Sequence, residues 1–179
     1  AYLGSFTPFL DRLRTQSLYF ENFLASHDQT SMAFPSILSS LSYDAQDIAN
    51  WGERVPKTVN IINLLKYNGY HVSFISGTDF ANESAYVKAQ GADQIIAKTN
   101  FGKKQDLYSS YWGYPDLEVV EKAIKYYEKL PHRPFFSYIQ TFSMRTPYKV
   151  PNMEKYYSLF ETHMNKLGFN EQQKSTHRK

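Results

Sequence analysis

Two adjacent hydroxyl side chains, Thr30 and Ser31, stand where a helix is predicted to begin. Unpaired N–H groups and the helix dipole at such a position favour an anion such as a phosphate group. A hydroxyl beside a bound phosphate can act as a nucleophile toward phosphorus. Thr30 is our candidate for that role, with Ser31 and Ser36 as competing hydroxyls. From spacing alone, Thr30 or Ser31 could instead serve only as a helix cap.

Arg145 follows an apolar segment, 135–141, that is predicted to be a strand. A guanidinium group binds phosphate or sulfate through its planar fork of donors, but it cannot give up a proton at neutral pH. Arg145 is therefore predicted to bind a substrate and not to act as a general acid. The alternative is an ordinary solvated cation on the surface.

The histidines and carboxylates show no metal-binding pattern by their spacing. His27 and Asp28 are adjacent, and adjacent side chains of a strand point to opposite faces. Only loop geometry could bring both to one metal ion. His71 lies in an apolar segment and is predicted to be structural. The chain has no Cys, which excludes a thiol nucleophile and a disulfide.

Helices and short apolar strands alternate along the chain and must position these residues. Strands are predicted at 17–24, 71–76, 94–97 and 135–141, and helices at 8–13, 30–41, 57–68, 84–90, 116–130 and 153–167. Thr7, Thr58 and Asp116 are the predicted helix caps. The second helix begins between Thr30 and Pro35, because a proline fits only a first turn. This alternation predicts an α/β fold, a layered sheet with helices on both faces, whose functional groups collect beyond the carboxyl ends of the strands.

The bulk composition is that of a folded chain. Its 179 residues are 42% hydrophobic and 17% aromatic, which is enough for one core. The 20 Lys and Arg are scattered among 17 acidic residues, and the net charge is +3. With no basic run before the last few residues, nucleic acid is not indicated as a partner. No apolar stretch approaches the roughly 20 residues that span a bilayer.

A series of segments occurs in the order found in one enzyme superfamily. They are TPFLDRL at 7–13, LYFENFLASHDQTSMAFPSILSSL at 18–41, NGYHVSFISG at 68–77, SSYWGYPDLEVVEKA at 109–123 and RPFFSYIQTFSMRTPYKVP at 133–151. Together they resemble the alkaline phosphatase/sulfatase superfamily, and within it the lipoteichoic acid synthase-type phosphoglycerol transferases and the phosphoethanolamine transferases. The resemblance implies an alkaline phosphatase-like fold, incomplete at both ends: a partial catalytic domain at 1–169 and a disordered polar tail at 170–179.

The resemblance also implies a role for each candidate residue. Thr30, with Pro35 five residues later, matches a threonine nucleophile that also contacts a divalent metal ion (manganese, zinc, magnesium or calcium). Arg145 occupies the position of a family histidine near the transferred group. Trp112 and Asp116 match a segment beside the substrate head group. The other metal ligands are expected outside this chain, because the family's acidic ligand and Asp-His pair have no match here. This segment alone is therefore expected to be inactive.

The implied function is metal-dependent transfer of a phosphoglycerol or phosphoethanolamine group, with a lipid or glycan as substrate. One alternative is a sulfatase-like hydrolase of sulfuric or phosphoric esters. Sulfatases, however, resemble one another in a Cys or Ser within a Cys-x-Pro-Ser-Arg type of motif, where this chain has Ala33. The other alternative is a non-catalytic binding or structural domain of the same fold. The family further implies a location on the extracytoplasmic face of the membrane or in the periplasm, with a membrane tether in the full-length protein.

Overall fold

The computed structural model describes residues 5–41, 51, 54–79, 81–102, 113–146, 148 and 151–177. The helices are α1 (Pro8–Arg14), α2 (Thr30–Ser39), α3 (Ile61–Tyr67), α4 (Ala81–Ala89), α5 (Asp116–Tyr127), α6 (Met153–Lys166) and α7 (Glu171–His177), and Lys98–Asn100 forms one 3-10 turn. The chain divides into two units, residues 1–24 with 151–179, and residues 25–150. The second unit contains the sheet.

Three parallel strands form this sheet in the order β2-β1-β3: β1 (His71–Ser76), β2 (Gln94–Ile96) and β3 (Phe135–Gln140). β1 pairs with β3 from His71↔Phe135 to Ser76↔Gln140. All six residues of β1 are buried, which is typical of a central strand covered on both faces. The parallel order places the loops after β1 and β3 at the same edge of the sheet.

Helices cover both faces of the sheet, as the sequence predicted. On one face, Val72 and Phe74 pack with side chains of the helices α2, α3 and α4, which are Phe34, Leu38, Ile62, Tyr86 and Val87. On the other face, Ile75 and Ile96 pack with Tyr114 and with Val119 and Ala123 of α5. The division follows the alternation of side chains along β1. The α/β prediction is confirmed.

The strand predicted at 17–24 is wrong. This segment pairs with no strand among the described residues, and its large apolar side chains are exposed, from 53% for Tyr19 to 90% for Leu24. A strand requires a neighbour that accepts and donates its backbone hydrogen bonds. Aromatic and apolar composition alone does not supply that neighbour.

The helix predicted at 57–68 begins later, at Ile61, because its cap is Asn60 and not Thr58. The Asn60 side chain accepts a hydrogen bond from the N–H of Asn63 at 3.0 Å, and the Asn63 side chain accepts one from the N–H of Asn60 at 3.1 Å. This reciprocal pair is a capping box. The N–H of Thr58 instead donates to the side chain of Gln90, the residue that follows α4, at 3.1 Å.

The regular elements in the described part of the first unit are the helices α1, α6 and α7. The Phe6 ring lies 4.9 Å from the His163 ring and 6.4 Å from the Phe160 ring, between ring centroids. The segment 170–179, predicted to be a disordered tail, carries α7, on which Lys174 is 4% exposed and pairs with Glu161 and Glu171. Thr7 precedes α1 but makes no capping hydrogen bond with its side chain. No helix in the described ranges is long and apolar enough to cross a membrane.

Candidate active site

An open cleft of about 530 Å³ lies among three segments of the larger unit: the start of α2, the start of α4 and the loop after β3. We call it the Thr30 cleft. Its lining residues are Asp28, Gln29, Thr30, Ser31, Asn82, Glu83 and Arg145. The structure therefore brings together the two residues that the sequence singled out as nucleophile and anion-binding group. Trp112 lies outside the described residues.

Thr30 is the first residue of α2 and not its cap. Gln29 holds the cap position, without a side-chain hydrogen bond, and its carbonyl accepts from the N–H groups of Met32 at 3.2 Å and Ala33 at 2.9 Å. The N–H groups of Thr30 and Ser31 donate to no described residue. Thr30 and Ser31 therefore do not cap the helix, and their two N–H groups lie at its positive end without a partner among the described residues.

Aromatic packing fixes the position of α2. The Phe34 ring is fully buried and meets the rings of Phe74, Tyr86 and Tyr138 edge to face, at centroid distances of 5.7, 5.8 and 5.0 Å. Pro35 lies in the second turn, not the first turn expected of it. Because proline has no N–H, the Ser31 carbonyl loses its usual helical partner. The sheet thus holds the helix whose N-terminus opens into the cleft.

Arg145 lies in a tight turn after β3. Its N–H donates to the Phe142 carbonyl at 2.9 Å, and its own carbonyl accepts from the N–H of Tyr148 at 2.7 Å. The side chain is exposed at the cleft. Because both backbone groups of Arg145 are hydrogen-bonded within the turn, the position from which its side chain extends is fixed.

Asp116 is neither a helix cap nor a lining residue of the cleft. Pro115 holds the cap position of α5. The Asp116 Oδ1 accepts hydrogen bonds from the N–H groups of Phe142 at 2.6 Å and Ser143 at 3.0 Å. In return the Ser143 hydroxyl accepts from the N–H of Asp116 at 3.3 Å. The carboxylate joins the start of α5 to the loop that carries Arg145.

The segment before α5 is also packed closely against the end of β1. Thr78 and Gly113 form a β-bridge, and the N–H of Tyr114 donates to the Gly77 carbonyl at 3.0 Å. A Cβ atom on Gly113 would lie 2.2 Å from the Gly77 carbonyl oxygen, so no larger residue fits there without a backbone shift. This contact fixes where α5 begins.

Two cleft residues were missed by the sequence analysis, Asn82 and Glu83. Both belong to the first turn of α4, which begins earlier than predicted. Glu83 is 4% exposed although it carries a carboxylate. Burial, with the negative charge of Glu83 as a second cause, raises the pKa of the Tyr138 hydroxyl. The signal in the sequence was their place directly after the carboxyl end of β1.

The described residues do not form a metal site. Among them, no three His, Asp or Glu side chains come together in a group that could hold a metal ion. The Thr30 cleft offers the carboxylates of Asp28 and Glu83 and the hydroxyl of Thr30. A divalent cation with oxygen ligands takes about six or more of them, so the described residues do not fit a complete site.

A second polar cluster lies at the amino end of β1, and its side chains are hydrogen-bonded to one another or to the backbone. The Asp93 carboxylate accepts from Lys66 Nζ at 2.8 Å and from the N–H of Val72 at 2.9 Å. The imidazole of His71 is bonded through Nδ1 to Arg133 and through Nε2 to the Tyr126 hydroxyl. Because the guanidinium can only donate, Nδ1 must accept, which makes His71 neutral. Burial lowers the pKa of His71, against the opposing charge of Asp93.

The chain is similar to a known protein family and to solved structures. The family model described as Sulfatase matches residues 2–173. A protein of the alkaline phosphatase superfamily from Vibrio parahaemolyticus shares the fold with a TM-score of 0.71 and 26% identity, over 81% of this chain and 36% of the other. The lipoteichoic acid synthase LtaP from Listeria monocytogenes shares it with a TM-score of 0.66 and 22% identity, over 82% of this chain and 37% of the other. The chain thus spans little more than a third of these proteins. The search of curated proteins gave no match.

Proposed function

This chain belongs to the sulfatase family, and from that membership we propose that it carries the nucleophile and the anion-binding part of a metal-dependent phosphotransferase. Proteins of this superfamily are generally enzymes that act on phosphate or sulfate esters. The observation that supports the finer proposal is the meeting of Thr30 and Arg145 in one cleft, at the N-terminus of α2. The proposed substrate is a lipid or glycan that carries a phosphorylated head group.

In the proposed reaction, the Thr30 oxygen attacks phosphorus and forms a new P–O bond while its proton passes to water. The bond from phosphorus to the leaving alcohol breaks, and that alcohol departs with the bonding pair and takes up a proton. An acceptor hydroxyl or water then attacks the phosphorus of the phospho-threonine and loses its proton, the bond from phosphorus to the Thr30 oxygen breaks, and Thr30 takes up a proton again. Charge on the phosphoryl oxygens is stabilised by the N–H groups of Thr30 and Ser31 and by the Arg145 guanidinium.

Arg145 limits how the leaving alcohol can be protonated. A guanidinium stays charged at neutral pH and cannot act as the acid. The proton must come from water or from another group, and Arg145 is assigned to binding and charge stabilisation. A divalent metal ion, when bound, would lower the pKa of the Thr30 hydroxyl. Thr30 is the residue of this chain that we propose as its ligand.

Two other readings have their own support. A sulfatase-like ester hydrolase is supported by the match to the sulfatase family model, although Ala33 stands at the position where sulfatases resemble one another in Cys or Ser. A non-catalytic binding domain is supported by the lack of a three-ligand group among the described residues. An extracytoplasmic location and a membrane tether in the full-length protein belong to the phosphotransferase proposal, by similarity to lipoteichoic acid synthase.

The test is intact mass spectrometry of the full-length protein after incubation with manganese and phosphatidylglycerol or phosphatidylethanolamine. We expect a mass increment equal to the phosphorylated head group, which Thr30→Ala abolishes. Ser31→Ala is the matched control, since it removes the neighbouring hydroxyl and should keep the increment. An increment that persists in Thr30→Ala would assign the nucleophile elsewhere. No adduct with either lipid, together with turnover of aryl sulfates, would favour the hydrolase, and absence of metal binding would favour the binding domain.

A further inference from the structure

We propose that Asp116 is a positioning residue that holds the loop of Arg145 in the geometry needed to bind a phosphoryl group. This inference rests on the proposed function, because it concerns the same cleft. It differs from the role that resemblance gave to Asp116, which was direct contact with a substrate head group.

The first step is the bonding of the Asp116 side chain. Its Oδ1 accepts two consecutive N–H groups of the loop, from Phe142 at 2.6 Å and Ser143 at 3.0 Å. Hydrogen bonds to an ionised acceptor are stronger than neutral ones. The Ser143 hydroxyl closes the arrangement by accepting from the N–H of Asp116. Two adjacent amide groups and one hydroxyl therefore fix the loop to the start of α5.

The second step is the short distance along the chain from these amide groups to Arg145. The N–H of Arg145 donates to the carbonyl of Phe142, the residue whose N–H is bound to Asp116. A displacement of Phe142 is therefore passed directly to the backbone of Arg145. A guanidinium on a long side chain binds phosphate well only when its fork is aligned with the oxygens.

The third step is that α5 itself is a firm support. Val119 and Ala123 are fully buried against the sheet. The preceding Gly113 and Tyr114 are tied to Gly77 and Thr78. Asp116 thus connects a rigid part of the sheet layer to a loop whose side chains at the cleft are exposed. An exposed loop needs such a connection if it is to hold one conformation.

The experiment is a double-mutant cycle on the full-length protein, with the dissociation constant for inorganic phosphate measured by calorimetry. The variants are Asp116→Ala, Arg145→Ala and the two combined. We expect each single change to weaken phosphate binding about tenfold or more. The combined variant should bind no more weakly than Arg145→Ala, because a residue that acts through Arg145 has nothing to position once that side chain is gone.

Two further variants separate positioning from general damage. Asp116→Asn keeps an oxygen acceptor and should restore most of the affinity. Glu118→Ala removes another acidic side chain from the same first turn of α5. Because Glu118 makes no hydrogen bond to the loop, this change should leave the affinity for phosphate unaltered. Hydrogen exchange at the amides of Phe142 and Ser143 should accelerate in Asp116→Ala and stay slow in Glu118→Ala.

The outcomes are distinct. Fold-changes that multiply in the combined variant, or amides that exchange equally slowly in Asp116→Ala, overturn the positioning role and leave the proposed function intact. A wild-type protein that binds no phosphate overturns the proposed function and this role with it. The inference is supported if Asp116→Ala weakens phosphate binding only when Arg145 is present and if Asp116→Asn restores most of the affinity.

Discussion

The two ends of β1 use similar polar residues in opposite ways. At the amino end, His71, Asp93, Lys66, Tyr126 and Arg133 are bonded to one another or to the backbone. At the carboxyl end, the Thr30 cleft is open, its Thr30 and Arg145 side chains are exposed, and two N–H groups of α2 donate to no described residue. We refer to them as the closed end and the open end.

The two ends differ in whether their polar groups form hydrogen bonds within the protein. A polar group that is paired inside the protein contributes to stability, and it is costly to disturb. A donor left without an internal partner at the positive end of a helix is available to a ligand. The comparison therefore predicts that substitutions at the open end change activity at nearly constant stability, and that substitutions at the closed end do the reverse.

The largest effect is expected from Thr30. Thr30→Ala removes the proposed nucleophile and should lower kcat by at least about 10³-fold, while Thr30→Ser keeps a hydroxyl and should retain measurable turnover. Because Thr30 is exposed, the melting temperature of both variants should match that of the wild type. Steady-state kinetics and thermal melting of the full-length protein measure the two quantities. A loss of stability in parallel with the loss of activity would contradict the predicted difference between the two ends.

Arg145 should come next. Arg145→Ala should lower kcat/KM by about 10²-fold, because a stabilising charge is lost from the transition state. The kcat/KM of Arg145→Lys should lie between those of the wild type and Arg145→Ala, since lysine keeps the charge without the planar fork. Arg133→Ala is the matched control, an arginine of the closed end, and should keep kcat/KM. If Arg133→Ala impairs catalysis as strongly as Arg145→Ala, proximity to the cleft is not what matters.

Much of the larger unit could be predicted because its signals are local. The apolar run of β1 lies between Gly69 and Gly77, and Gly69 also marks the end of α3. The segment 17–24 has the same strand-like composition, yet it pairs with no strand among the described residues. Strand formation depends on a partner that is distant in sequence, and no local pattern reports it.

The same distinction explains the candidate site. Thr30 and Arg145 could be proposed because each follows a predicted strand or opens a predicted helix, and because the order of motifs resembles a known superfamily. Asp116 was assigned as a cap from its neighbours, but its true partners are Phe142 and Ser143, 26 and 27 residues away. Glu83 was missed because its burial depends on the packing of α4, not on residues beside it in sequence.

Asp93 provides the test of the closed end. Asp93→Ala should destabilise the fold by about 1–2 kcal/mol, because the N–H of Val72 and the Lys66 ammonium both lose an acceptor. Activity per folded molecule should be unchanged. Denaturant unfolding gives the stability, and kinetics at matched folded concentration gives the activity. Asp79→Ala is the control, since this carboxylate is 53% exposed and its salt bridge with Lys98 spans 3.7 Å; it should shift the free energy of unfolding by less than about 0.5 kcal/mol.

The smallest effect concerns pH and His71. Burial holds the pKa of His71 below its ordinary value of about 6.5, so the unfolded chain binds more protons than the folded protein once the pH falls below that value. The stabilisation is fully present above about pH 6.5 and is lost as the pH decreases toward the lowered pKa of the folded state. Asp93 also has a lowered pKa, but its ordinary value lies well below this window, so it does not contribute there. We therefore expect the free energy of unfolding to decrease in the wild type as the pH is lowered below about 6.5 and to decrease less in His71→Gln, as measured by urea unfolding at each pH. A His71→Gln variant with the wild-type pH dependence would show that the pKa of His71 is the same in the folded protein and in the unfolded chain. The hydrogen bonds of the closed end would then have no effect on the protonation of this histidine.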